Sequence, residues 1–177
     1  MMNTDRKCLI TGGAGFIGSH LCDSMISKGY EVFCLDNLST GSKKNITHLS
    51  AEKNFHFYEL DLTLPLPADF TKKINKLDYI YHLASPASPP HYQRLSIETL
   101  MVNSFGTYQI LNLGRKFNSR FLLASTSEVY GDPLMHPQKE TYFGNVNPHG
   151  VRACYDEAKR FAEAITMEYY RKFRLDV

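Results

Sequence analysis

The sequence predicts a doubly wound α/β fold (a Rossmann fold) built on a parallel sheet, and three observations carry that expectation. Short apolar runs alternate with stretches of helical spacing, a glycine cluster follows the first run directly, and polar residues collect where the runs end. Strands of a parallel sheet are buried on both faces, so they read as near-continuous apolar segments rather than as alternation. Ligands in such folds bind outside the carboxyl ends of the strands.

The first strand is "KCLIT", residues 7–11. Beyond the glycines, residues 16–28 place Ile17, Leu21 and Met25 at helical spacing. "YEVFCLD" (30–36) is the second strand by its β-branched and aromatic content, and "NFHFYELD" (54–61) is the third. "LDYIYHLA" (77–84) and "RFLLASTS" (120–127) supply the fourth and fifth. Helices are expected weakly at 68–76 and strongly at 95–117 and 151–172; loops are expected at 86–91 and 131–150. The closing "FRLDV" reads as the start of another strand. With no internal repeat or linker, residues 1–177 read as one domain.

Bulk properties exclude other classes. At 177 residues, 43% hydrophobic and 21% charged, the chain has the composition of an ordinary globular domain. A net charge of +2 without a dense basic run gives no footprint for nucleic acid. There is no 18-residue apolar run for a membrane and no signal-peptide core, so a cytoplasmic protein is expected. Cys8, Cys22, Cys34 and Cys154 lack metal-ligand spacing, so no metal is expected and they read as reduced and structural.

The glycines satisfy both Gly13-x-Gly15-x-x-Gly18 and Gly12-x-x-Gly15-x-x-Gly18. A tight turn, close approach of a pyrophosphate to the backbone, and close helix packing all require the missing side chains. Asp36 ends the second strand eighteen residues past Gly18, where a carboxylate accepts ribose hydroxyls and repels a 2′-phosphate. NAD is therefore the expected cofactor, with Asn37, Ser39, Thr40 and Gly41 around the same ribose.

At the other end, "STSEVYGD" (125–132) brings hydroxyls and a carboxylate to the ligand edge. Tyr155 and Lys159 lie four residues apart, which stacks them on one helical face. A cation beside a phenol is expected to lower its pKa, making Tyr155 a general base with Thr126 hydrogen-bonded to the same oxygen. The plainer alternative makes Tyr155 a core aromatic and Lys159 a solvated charge. His82 reads as a packed strand histidine, and no Gly-x-Ser-x-Gly elbow is present.

The stretches "TGGAGFIGSHL", "DNLSTG", "YHLASPASPPHY", "LLASTSEVYGDP", "HPQKETY" and "VRACYDEAKR" together resemble the extended short-chain dehydrogenase/reductase family, the NAD-dependent epimerases and dehydratases. Within it, "HLASPASPP" and "RACYDEAKR" are similar to the UDP-glucuronate decarboxylases. The resemblance implies a pyrophosphate held by Gly12, Gly15, Phe16, Ile17 and Gly18, a ribose on Asp36, and an adenine end at Asp61 and Leu62. Leu83, Ser85 and Val102 would line the cofactor further along, bordered by Tyr155 and Lys159. It further implies that Tyr155, with Lys159 and Thr126, oxidises UDP-glucuronate at C4, that Glu128 assists near C5 and C6, and that UDP-xylose is the product. Met101 stands where the family usually has lysine. The family also carries a C-terminal substrate domain beyond these residues, so this chain is expected to bind NAD but turn over poorly. A homodimer through the two long helices is implied as well. Two alternatives stand beside this reading: a dTDP-glucose 4,6-dehydratase, disfavoured by Ser127-Glu128 where an Asp-Glu pair is typical, and a non-catalytic NAD-binding module.

Overall fold

Residues 5–177 are described by the computed structural model. Five strands, β1 (Lys7–Thr11), β2 (Glu31–Asp36), β3 (Phe55–Glu59), β4 (Tyr79–His82) and β5 (Arg120–Leu123), form one parallel sheet in the order β3-β2-β1-β4-β5. Ile10 of β1 pairs with Cys34 on one side and Tyr81 on the other, so β1 is central. The order reverses at β1 and β4, which opens a crevice between the connections that leave in opposite directions.

Side chains of a strand alternate between faces, and β1 shows what that builds. Leu9 packs into a cluster with Ile80, Ile110, Leu111 and Phe121, while Cys8 and Ile10 pack on the opposite face with Cys22, Val32 and Cys34. The first face is covered by α5 (Thr107–Phe117) and α6 (Ala153–Phe173), the second by α1 (Phe16–Ser27). The three buried thiols are thus ordinary core volume, and all four cysteines are free.

Several expected boundaries shift. The third and fourth strands are shorter than their apolar runs, and β5 stops at Leu123; Ser127–Tyr130 is a 3₁₀ turn capped by the Thr126 hydroxyl, which accepts from Glu128 N at 3.3 Å. The weak helix after β3 is α2 (Ala68–Lys73). The expected loop at 86–91 instead begins α3 (Pro89–Arg94), because proline at the first helical position forfeits no hydrogen bond. The expected continuous helix at 95–117 is α4 (Ser96–Met101), a π-helical turn at Val102–Gly106, and α5. The closing residues form no strand, although Phe121 N–H donates to the Asp176 carbonyl at 2.8 Å and Leu175 is buried.

His82 is a buried strand histidine. Its Nδ1 lies 2.8 Å from Thr11 Oγ1 and its Nε2 3.0 Å from Thr107 Oγ1, tying β1, β4 and α5 together. Burial, with a smaller contribution from Lys159, pushes its pKa down to about 3. Among the described residues no helix is long and apolar enough to cross a membrane.

Candidate functional site

A cleft of about 520 Å³ opens at the carboxyl ends of the strands, across the point where the strand order reverses. Its floor is the glycine turn. Gly12 has φ +70° and donates its N–H to Leu35 O at 2.8 Å, a conformation that glycine reaches at little cost. A Cβ built at Gly18 would sit 2.1 Å from the Gly12 carbonyl oxygen, so α1 rests directly on the turn. Gly15 caps α1 without a side-chain hydrogen bond, and the first turn holds no acidic residue. The first-turn N–H groups, which no helical carbonyl can accept, therefore face the cleft with the positive end of the helix dipole. Phe16 and Ile17, on that turn, are 79% and 68% exposed.

Asp36 closes one end. Its Oδ2 accepts the Ala14 N–H at 2.9 Å and its Oδ1 the Leu38 N–H at 2.8 Å. Burial pushes its pKa up, outweighing both N–H donors. Asn37, Ser39, Thr40, Gly41, Leu62, Leu83, Ser85 and Val102 line the same cleft. Asp61 stands just outside the wall: its Oδ1 accepts the Thr63 N–H at 2.8 Å. Burial opposes its ionisation, yet bonds from Thr63 and Asn37 hold its pKa below the usual carboxylate range.

At the opposite end, α6 presents Tyr155 and Lys159 to the cleft. Lys159 is no solvated charge. It is 4% exposed, its Nζ donates to Ala124 O at 2.9 Å, and burial lowers its pKa to about 8. Tyr155 is 5% exposed, with its ring stacked on Tyr92 at 4.8 Å and 5°. The expected lowering of the phenol's pKa is overturned: burial raises it, a Thr126 hydrogen bond recovers only part, and Tyr92 and Asp156 add to the rise. Lys159 Nζ lies 6.0 Å from the Tyr155 ring centre and is engaged with a carbonyl, so it does not offset the desolvation.

Thr126 and Glu128 are beside the cleft rather than in its wall. Glu128 is ion-paired with Arg152, whose Nε also lies 3.9 Å from Asp156 Oδ2. His91 and Glu98 do line the cleft, and sequence reasoning missed both: neither belongs to a recognisable spacing. Among the described residues, three buried side-chain atoms lack a hydrogen-bond partner, Tyr92 Oη, Asn103 Oδ1 and Asp156 Oδ1. All three flank this region: Tyr92 stacks on Tyr155, Asp156 follows it, and Asn103 Nδ2 donates to Ser85 Oγ at 2.8 Å.

The sequence pattern of the GDP-mannose 4,6-dehydratase family matches residues 9–177. UDP-glucuronic acid decarboxylase 1 of Arabidopsis thaliana is 49% identical over 97% of this chain, and that of Danio rerio 50% identical over 98%. The chain spans 38% and 40% of those relatives' own lengths. Among solved structures, UDP-glucose 4-epimerase from Thermotoga maritima, determined with UDP-glucose, matches with TM-score 0.79 at 30% identity, covering 96% of this chain and 52% of that one. The dTDP-glucose 4,6-dehydratase of Bacillus anthracis, determined with NAD, matches with TM-score 0.78 at 25% identity, covering 97% and 52%. Glycine turn, strand order and sequence agree: the chain belongs to the NAD-dependent epimerase/dehydratase family, in the group described by the GDP-mannose 4,6-dehydratases.

Proposed function

We propose that this chain binds NAD and carries the cofactor site and the proton-transfer residues of a UDP-glucuronate decarboxylase. The observation that carries the reading is the joining, in one cleft, of an uncapped helix start on a glycine turn with a buried Tyr155 and Lys159. Identity near 50% with named decarboxylases supports that reaction over others of the family.

The residues suit NAD. Side chains at Gly12 or Gly18 would collide with backbone and force the turn open, and the first-turn N–H groups are free to hold a pyrophosphate. Asp36 and the hydroxyls of Ser39 and Thr40 suit a ribose, and the cleft wall offers no arginine for a 2′-phosphate. Asp61 and Leu62 would border the adenine, and Leu83, Ser85 and Val102 the remainder. Bound NAD would supply the acceptor for a hydride from a sugar carbon and return it later in the cycle.

Tyr155 rests protonated, because burial disfavours its anion. To act as base Tyr155 first releases that proton to solvent; the Thr126 hydroxyl, which donates to Oη, and the Lys159 ammonium favour the phenolate, which then takes the proton of the sugar C4 hydroxyl and becomes neutral. The resulting C4 ketone makes the C6 carboxylate a β-keto acid, and CO₂ departs to leave an enolate. Glu128 assists near C5 only after leaving Arg152. Tyr155 then returns its proton to the C4 oxygen.

Exposed Ile97, Met101 and Tyr108 on α4 and α5, with Phe161, Met167 and Tyr170 on α6, support pairing of two copies through these helices. Four free cysteines suit a reducing compartment such as the cytoplasm. A second reading, a non-catalytic NAD-binding module, is favoured by the Glu128–Arg152 pair, which withholds the carboxylate from the cleft.

Mass spectrometry of nucleotide sugars incubated with NAD and the chain tests this, with dTDP-glucose in parallel. Slow conversion of UDP-glucuronate to a nucleotide sugar lighter by one CO₂, falling a further ~10²–10⁴-fold in Tyr155→Phe, is the expected result. NAD binding without CO₂ loss would overturn the decarboxylase reading for this chain and favour the module; loss of water from dTDP-glucose would favour the dehydratase.

A further inference from the structure

Tyr92 is the largest of the fully buried side chains, 1% exposed, and lies parallel to Tyr155. Its hydroxyl has no partner, and an unpaired buried hydroxyl is unfavourable. Space filling alone would be served better by phenylalanine, so the site is not built for stability. The carrier of this ring is fixed in place: Cys154 Sγ donates to the Tyr92 carbonyl at 3.5 Å, and α3 packs on α6. Tyr155, by contrast, has a broad torsion about the bond to its ring, and the neighbour stacked on its face comes from α3.

We propose that Tyr92 is a positioning residue for Tyr155. Its ring is a plate that fixes the plane of the neighbouring ring and so the direction in which the phenol oxygen meets a substrate. The proposal rests on the reading of Tyr155 as the proton acceptor. Aim matters there because a misplacement of about 1 Å can cost about a hundredfold in rate.

The test is NMR of the whole chain labelled at tyrosine, with the Tyr155 signals identified by their loss in Tyr155→Phe. In the wild type, the stacked neighbour displaces the Tyr155 ring protons upfield. Tyr92→Phe is expected to keep that displacement and to raise Tm by about 2–4 °C, since the unpaired hydroxyl is gone. Tyr92→Leu and Tyr92→Met are expected to abolish the displacement and move the Tyr155 titration toward that of an exposed tyrosine. Where CO₂ release is measured, the same two variants lower kcat about tenfold with KM within twofold. Folded Leu or Met variants with unchanged Tyr155 shifts and titration would overturn the proposal, leaving Tyr92 as filler. If neither folds, the wild type and Tyr92→Phe decide: absence of the upfield displacement in both overturns it. Undiminished turnover in Tyr155→Phe would overturn the proton-acceptor reading instead, and would not alter the ring-shift result.

Discussion

Replacing Lys159 by methionine should stabilise the protein at neutral pH. The ammonium is 4% exposed and its pKa falls from an ordinary 10.5 to about 8, with burial as the cause. That gap corresponds to about 3 kcal/mol. Below pH 8 the lysine is charged in both the folded and unfolded chains, and the folded state bears the whole desolvation cost. Between about 8 and 10.5 the unfolded chain still holds a proton that the folded chain has released, so wild-type stability rises with pH by this contribution. The Lys159→Met protein lacks it. The variant should therefore exceed the wild type by up to about 3 kcal/mol at pH 7, with the difference closing toward pH 10.5. Cys8, raised by burial to about 12, and the raised Tyr155 act in the opposite direction above pH 9, but they are present in both proteins and cancel in the difference. Urea unfolding of both proteins at pH 7, 8, 9 and 10 measures it. Parallel stability curves, or a wild type more stable at pH 7, would refute the claim that burial of this ammonium is unfavourable.

Acid should destabilise the fold through His82, whose contribution is complete above pH 6.5 and is lost as pH falls toward about 3; urea midpoints should register a loss approaching about 4–5 kcal/mol, moderated by the raised Asp36 and Asp156, which work in the other direction. Gly18→Ala, with its Cβ 2.1 Å from a backbone oxygen, should cost about 3 kcal/mol or more and abolish NAD binding by calorimetry; near-wild-type affinity would show that the turn can yield. Gln109 fastens the segment after β3, accepting Leu66 N–H at 2.8 Å and donating to Leu64 O at 2.9 Å, so Gln109→Leu should raise hydrogen exchange there and cost about 1–3 kcal/mol. Uniform exchange in that variant would count against it.

The sheet was legible because its strands are buried on both faces and their apolar runs are continuous. The glycine turn and Asp36 were legible because their spacing reflects a backbone constraint. Side-chain direction was not. Glu128 stands in the polar stretch after β5 as expected, but Arg152, 24 residues later, draws it aside. Helix α3 was hidden by a Ser-Pro-Pro run that reads as a breaker, although proline suits a first helical turn. With α3 hidden, Tyr92 and His91 had no place in the site. The π-helical turn left no mark on the periodicity, since Val102 and Asn103 are buried at its start and Gly106 at its end. The direction of the Tyr155 shift was missed for a related reason: spacing reveals a neighbouring cation but not how deeply both groups lie.

The carboxylate of Asp36 has a consequence for how this protein could change. Both of its oxygens are already committed, one to the amide of Ala14 in the glycine turn and the other to that of Leu38. The same atoms that would discriminate between two dinucleotides also fasten the loop that receives either. A mutational path toward the phosphorylated dinucleotide cannot begin by deleting this acid without loosening the receptor itself. Any such lineage would first have to acquire another anchor for those two amides, so preference at this position is conserved by architecture as much as by selection for the ligand.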